Sequence, residues 1–327
     1  MPDSGTSVTL VYPASIVDNS GTIKSKDKLV VQQGTINQVP DHRIGTGTLS
    51  ITGSEATLAE SVDMKAQNAI VGFSIKDITG ENDLNPDVFS IRRADDGVIA
   101  MVTNSQSFCY IALPPSPAET WFKALTSVDG KTQTYIAKGT AKLEAGKYYP
   151  TELKMATVGD VILSNGKFAA PKTEGAEAMI AYLGNAFAGG DGEATTTHGL
   201  AIALEDAFNG TCQWSSAATN ISNYADSHKI NGDATGWRLP SEDDFKYMFQ
   251  ACSGDEYIST KETYFKCGNL GTMITAVGGF SFGNMEYGYW TSTEDDSSIA
   301  YAYYFNIERF SIQRKGSYLH VRAVLAF

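Results

Sequence analysis

The sequence predicts a mostly β chain with some α structure. An antiparallel β-sandwich over residues 1–155 is followed by an α+β domain with two helices over residues 156–327. Three observations carry this. Turn signals punctuate the first half at intervals of about eight to twelve residues, among them "DNSG", "QQG", "GTG", "TGS", "TGEND", "DDG", "PPSP", "VDG" and "EAGK". The runs between them are short and β-rich, and helical periodicity is almost absent. Around Ala156 the texture changes, and two amphipathic helical segments enter after further strand-like runs.

The bulk numbers agree with two globular domains. A chain of 327 residues is long enough for both, and 42% apolar with 19% charged residues supplies real cores. The net charge of −12 repels phosphate backbones, so a nucleic-acid partner is excluded. No segment reaches the roughly 18 consecutive apolar residues of a membrane helix. The start, "MPDSGTSVTLVYP", lacks the basic and apolar regions of a secretory signal. Abundant Gly, Ser, Thr, Tyr and Asn beside sparse Lys and Arg fit an exported β protein already trimmed of its leader.

In the first half the strand runs are "SVTLVYPASIV", "KLVVQQG", "NAIVGFSIKD", "GVIAMVT", "FCYIAL" and "TQTYIAKGTAKL". Between Ala69 and Ile75, the residues Val71, Phe73 and Ile75 alternate with smaller ones, which turns one face inward. This pattern argues two packed sheets.

In the second half, "VGDVILSNGKF" (158–168) reads as strand, turn, strand, with Asn165-Gly166 at the turn. "EAMIAYLGN" and "HGLAIALEDAF" come next as strands. In "AATNISNYADSHKI", Ile221, Tyr224, Ala225 and His228 share one helical face, and Asn231-Gly232 is the stop. The second helix begins in "TGWRLPSEDDF" (235–245). Ser241 is its N-cap and Asp244, three residues on, completes a capping box with Asp in the usual place of Glu or Gln. Glu242, Asp243 and Asp244 fill the first turn, where the helix dipole favours negative charge. Pro240 keeps Leu239 extended. Phe245, Met248, Phe249 and Cys252 mark the buried face, and Trp237 and Leu239 plug the core. The three acids therefore need no catalytic explanation.

Signals for chemistry are sparse. "GFSFG" (279–283) matches G-x-S-x-G, but the residues after it, "NMEYGYWTSTE", read as turn then strand, whereas a nucleophile elbow sits between strand and helix. "TEDDSS" (293–298) and "ENDLNPD" (81–87) lack cation-binding spacing and read as solvated loops. No CxxC or HExxH occurs. Cys109 reads as a buried small hydrophobe; Cys212, Cys252 and Cys267 allow one disulfide whose pairing the sequence leaves open. The glycosylation sequons at Asn209 and Asn220 read as accidental. No catalytic residue, metal site or cofactor is expected. Residues 254–290 set Tyr257, Tyr264, Phe265, Phe280, Phe282, Tyr287 and Tyr289 among glycines, and aromatic loops on a rigid scaffold are where ligands are met. The candidate ligand-binding residues are Asn284, Glu286, Tyr287, Glu294 and Asp295.

"MKAQNAIVGFSIKD" (64–77), "FCYIALPP" (108–115) and "KLEAGKYYPTELKM" (142–155) resemble the fimbrillin-like domains of Bacteroidetes surface proteins. The resemblance spans most of residues 8–155. It implies a transthyretin-like sandwich and a place among pilus subunits or surface lipoproteins at the outer membrane. Pilus members accept a strand from a neighbouring subunit, so other pilus subunits are implied partners.

"VGDVILSNGKF", "GLAIALEDA", "GWRLPS", "YWTSTE" (289–294), "AYAYYFN" (300–306) and "VRAVLAF" (321–327) are similar to the lectin-like domain common in Bacteroidetes surface proteins. Its relatives are the Fibrobacter major-paralogous and legionella collagen-like C-terminal families, and more distantly the formylglycine-generating enzymes. This implies a C-type lectin-like fold and a glycan or host extracellular protein as ligand. The E-P-N, Q-P-D and W-N-D motifs of calcium-dependent lectins are absent, as is an alignable match to the copper-binding cysteine pair of the enzymes. "HVRAVLAF" alternates Val321, Ala323, Leu325 and Phe327 and reads as an internal strand with nothing to donate. The expectation is a non-enzymatic surface adhesin, a pilus tip or accessory subunit. The alternatives are a monomeric surface lipoprotein and, remotely, an enzyme of the formylglycine-generating fold.

Overall fold

Strands rich in β-branched and aromatic residues build the first half of the chain, whereas the central strands of the second are rich in alanine and buried at consecutive positions. A computed structural model describes residues 5–12, 31–32, 34–35, 42–93, 97–103, 106–115, 119–184, 198–231, 236–253, 265–282 and 288–327. It divides into unit 1, Met1–Thr132 with Ile136–Met155, and unit 2, Gln133–Tyr135 with Ala156–Phe327.

Unit 1 holds β1 (Ser7–Tyr12), β2 (Val31–Gln32), β3 (Arg43–Thr52), β4 (Glu55–Leu58), β5 (Lys65–Ala66) and β6 (Ala69–Asp77). It continues with β7 (Val88–Arg93), β8 (Gly97–Thr103), β9 (Phe108–Leu113), β10 (Glu119–Val128), β11 (Lys131–Thr140) and β12 (Tyr148–Met155). A five-stranded sheet runs β11-β10-β7-β8-β2, a three-stranded sheet runs β12-β6-β9, and β1, β3, β4 and β5 form a third.

The expected alternation in β6 holds, with Val71, Phe73 and Ile75 all buried. Phe73 meets Phe89 of β7 and Phe122 of β10 edge-on, at centroid distances of 5.6 and 5.5 Å. These rings join the three-stranded and five-stranded sheets into a sandwich core. Two pairings depart from the antiparallel expectation: β12 runs parallel to β6, and β2 parallel to β8. A parallel neighbour cannot be reached by a tight hairpin, so long crossovers enter both places.

Two edges of the sandwich are managed differently. β12 carries Pro150 opposite Gly72, and a proline in a strand is tolerated only where its missing N–H is not needed. At β9 a side chain does the work of a peptide. The buried Gln32 donates Nε2 to Ala112 O and accepts Ala112 N–H on Oε1, both at 2.9 Å.

Unit 2 holds β13 (Val161–Leu163), β14 (Phe168–Ala169), β15 (Ala176–Leu183) and β16 (Gly199–Ala203), then α1 (Trp214–Ser227), α2 (Glu242–Ser253) and α3 (Leu270–Ala276). The strands β17 (Tyr289–Glu294), β18 (Ile299–Tyr304), β19 (Arg309–Arg314) and β20 (Val324–Ala326) complete it. One sheet runs β14-β13-β15-β16-β20 and the other β17-β18-β19. The turn at Asn165-Gly166 is formed, with Gly166 at φ 77°. α1 ends at Ser227, capped by the His228 N–H on Tyr224 O, earlier than the expected stop at Asn231. α3 is a third helix, inside the segment that reads as an aromatic loop.

α2 matches its sequence in detail. Ser241 Oγ accepts the Asp244 N–H at 3.1 Å, and Asp244 Oδ2 accepts the Ser241 N–H at 2.7 Å, the reciprocal pair of a capping box. Arg238 adds a two-pronged clamp, donating Nη1 and Nη2 to the Asp244 carboxylate at 2.5 and 2.9 Å. Phe245, Met248, Phe249 and Cys252 are buried, against Met179, Ile202 and Tyr303 among others. Trp237 and Leu239 pack on a second cluster around Ala217, Ile221 and Trp290.

Burial alone would raise the Asp244 pKa, but the Arg238 clamp and the Ser241 N–H outweigh it and hold the carboxyl below its usual range. A depressed folded pKa contributes stability above the unfolded value of about 3.9 and loses it as pH falls through the folded value. The urea midpoint of the wild-type chain should therefore fall on acidification below pH about 4. Asp244→Asn should lose about 1–3 kcal/mol at neutral pH and show a shallower acid fall over the same window.

Candidate functional site

β16 ends at Ala203, and the chain leaves the sheet as Leu204-Glu205-Asp206-Ala207-Phe208. Beside it lie the C-terminal turn of α1, the Gly278–Ser281 loop after α3, and the approach to β20. Together they enclose a cleft of about 780 Å³ lined by Glu205, Asp206, Phe208, Asn209, Tyr224, His228, Phe280, Ser281, His320 and Arg322 among others. A smaller hollow with Glu177 in its wall shares Glu205, Tyr224, His228 and Phe280 with it.

The floor is a buried ion pair. Arg322 is 1% exposed and donates Nε to Asp206 Oδ1 at 2.7 Å, and Nη1 to Ala203 O at 3.2 Å and Phe280 O at 3.1 Å. Its guanidinium carbon lies 5.1 Å from the centroid of the Phe282 ring. Asp206 Oδ2 accepts the Tyr289 hydroxyl at 3.1 Å and faces His320 Nδ1 at 3.3 Å. Burial pushes the Asp206 pKa up, but His320 and Arg322 pull it net below the usual carboxylate range.

The wall is an imidazole between two carboxylates. His228 Nδ1 lies 2.9 Å from Glu177 Oε2, and Nε2 lies 3.4 Å from Glu205 Oε1. The ring stacks on Tyr224 at 4.0 Å, and Trp237 Nε1 donates to the His228 carbonyl at 2.7 Å. Burial and then the charges of Glu205 and Glu177 raise the Tyr224 pKa, so the phenol stays protonated. The rim carries the exposed rings Phe280 and Phe208. Gly279 is required below Phe280, because a Cβ there would come within 2.7 Å of Leu204 O.

Of the sequence-derived candidates, Asn284, Glu286 and Tyr287 lie outside the described residues. Glu294 closes β17 and pairs with Lys315, whose Nζ also donates to Asp296 O at 2.8 Å. Asp295 comes next, its N–H on Ile299 O at 3.1 Å and its Oδ1 accepting from Tyr301 at 3.4 Å. Asp296 accepts the Ser298 N–H and hydroxyl, so "TEDDSS" is an internally bonded turn. In "ENDLNPD", Asn82 donates to Asp77, which Thr79 and Gly80 also bond and which these contacts hold at about 2 against the opposing cost of burial.

Ser281 of "GFSFG" comes after α3 rather than a strand, and its motif's last glycine lies outside the described residues. All four cysteines are free thiols. Burial pushes Cys252 up to about 12; burial, then Glu308, pushes Cys267 up to about 11, which leaves both unreactive. Among the described residues no group of three or more His, Cys, Asp and Glu is arranged to hold a metal ion.

Sequence reasoning passed over Asp206, His228 and Arg322 as site residues. The available signal was an arginine inside the apolar run "VRAVLAF", since a charge in a buried strand needs a partner. Asp206→Asn would leave that guanidinium buried without its counter-charge. It should lower the stability of unit 2 by about 3–5 kcal/mol, read as a shift of the urea unfolding midpoint.

Comparison with known proteins adds two findings. Residues 194–325 match the protein-family model described as the Lcl C-terminal domain. The match takes in β16, all three helices, the final strands and most of the cleft lining. A fimbrial protein from Bacteroides ovatus superposes with a TM-score of 0.38 at 14% identity, over 98% of this chain and 85% of that one. No curated protein matches.

Proposed function

We propose that this chain is a non-enzymatic cell-surface adhesion protein in which unit 2 binds a ligand and unit 1 serves assembly. The observation that carries the reading is the unit 2 cleft. It is open and rimmed by exposed rings, and its ionisable groups are tied to one another: Arg322 with Asp206, and His228 with Glu177 and Glu205. Paired charges around an aromatic rim suit recognition. The C-type lectin-like fold implied by the motifs is part of this proposal, and the Lcl C-terminal domain match at residues 194–325 takes in the cleft lining. The proposed ligands are a glycan or a host extracellular protein, and Asn284, Glu286, Tyr287, Glu294 and Asp295 are proposed as further contacts on unit 2.

A pilus tip or accessory position is proposed for the chain, with unit 1 as the socket for a neighbour's strand. β20 is buried between neighbours in unit 2 and pairs with β16, so this strand is not available to donate. The proposed location is the cell surface, attached at the outer membrane; among the described residues no helix is long and apolar enough to cross a membrane.

The full chain should bind on a glycan and extracellular-matrix array, and Phe280→Ala should weaken that binding at least about 10-fold, a loss near 1.4 kcal/mol, without lowering the thermal midpoint. Binding carried by unit 1 alone, or undiminished in Phe280→Ala, would contradict the assignment of roles.

A further inference from the structure

We propose that the unit 2 cleft receives the cationic end of a lysine or arginine side chain presented by a protein partner. The inference rests on unit 2 being a ligand-binding module and names the chemistry it reads. Three observations support it.

The first is charge. Arg322 and Asp206 cancel within the floor. What remains is Glu205 with His228 and His320 in the cleft lining, and Glu177 in the wall of the adjoining hollow, together −2 with both imidazoles neutral. Glu205 is the solvent-facing member, with its side chain 45% exposed. Its carboxylate has acceptor capacity left for an incoming N–H, because one contact at 3.4 Å occupies only one of its lone-pair sites.

The second is the presentation of Phe280. Its ring is 69% exposed, yet both of its backbone polar groups are held: the N–H donates to Leu204 O at 2.7 Å, and the carbonyl accepts from the buried Arg322. Gly279 beneath it admits no side chain. A large ring is thus presented to water from a backbone held on both sides. An aromatic face beside a carboxylate is the pairing that holds an ammonium or guanidinium group, the ring by its quadrupole and the carboxylate by charge-assisted hydrogen bonds.

The third is scale and field. A cleft of about 780 Å³ accommodates an extended aliphatic stem as well as its charged head. The chain as a whole carries −12, which steers basic surfaces toward it and sulfated or uronic-acid polymers away.

The test uses the full chain and two probes, Nα-acetyl-lysine methylamide and its arginine counterpart, titrated by NMR. The uncharged norleucine analogue and a heparin-derived tetrasaccharide serve as comparisons. A probe of about fourteen non-hydrogen atoms at about 0.3 kcal/mol per atom should bind near 1 mM, more weakly as salt is raised. Glu205→Gln and Phe280→Ala should each weaken the lysine and arginine probes at least about 10-fold, with unchanged thermal midpoints, and the norleucine analogue should not compete. Equal binding of norleucine, or no response to either cation well above that concentration, overturns the inference. An oligosaccharide that occupies the cleft and is lost in Phe280→Ala overturns the cation assignment alone and leaves unit 2 a binding module. If nothing binds the cleft and Phe280→Ala adheres as wild type does, both readings fall.

Discussion

A guanidinium with 1% exposure sets the terms for unit 2. Arg322 sits just ahead of β20, among residues that are otherwise apolar and buried. Taking such a charge out of water costs several kcal/mol unless its donors and its charge are met. Each of its partners is therefore fixed in place: the Asp206 carboxylate beyond the end of β16, the Ala203 carbonyl at that end, and the Phe280 carbonyl in the loop after α3. Asp206 in turn holds Tyr289 and His320. Segments far apart in sequence converge on one side chain, and the cleft is the space they leave between them.

A second arginine performs a related task at the other side of the same strand. Arg238 pairs its backbone with Val324 of β20 and its side chain with Asp244 of α2. One residue thus ties the sheet to the start of the helix that fills the core. The acids of "SEDD" are distributed accordingly. Asp244 faces inward to Arg238 and Ser241, while Glu242 and Asp243 share Lys246 at 2.9 and 3.1 Å. Charge that looks concentrated in sequence is used locally for capping and pairing.

Features set by near neighbours in the chain were legible beforehand. The alternation of Val71, Phe73 and Ile75, the Asn165-Gly166 turn, the Ser241 cap and the face of Phe245, Met248, Phe249 and Cys252 all arise from local periodicity and local hydrogen bonds. The features that stayed hidden depend on contacts across the chain. The parallel course of β12 along β6 is a matter of topology, not of residue pattern. α3 is only seven residues long, and its glycine and threonines carry little helical signal. The cleft is the clearest case: Asp206 and Arg322 are 116 positions apart, and Glu177 and His228 are 51 apart. The aromatic density of 254–290 pointed toward this neighbourhood, and Phe280 does line the cleft, but the charged partners came from elsewhere.

Pro150 has a consequence for how densely such chains can be gathered. A sheet edge with a full row of unpaired N–H groups templates lateral growth, and the risk rises with local concentration. Among the described residues β12 is an edge strand, and it lacks one donor at its third residue, Pro150, opposite Gly72. Any strand laid along it would meet a ladder interrupted near the start of β12. Under crowding β12 is therefore a poorer template for sideways zippering than an edge with its row of donors intact.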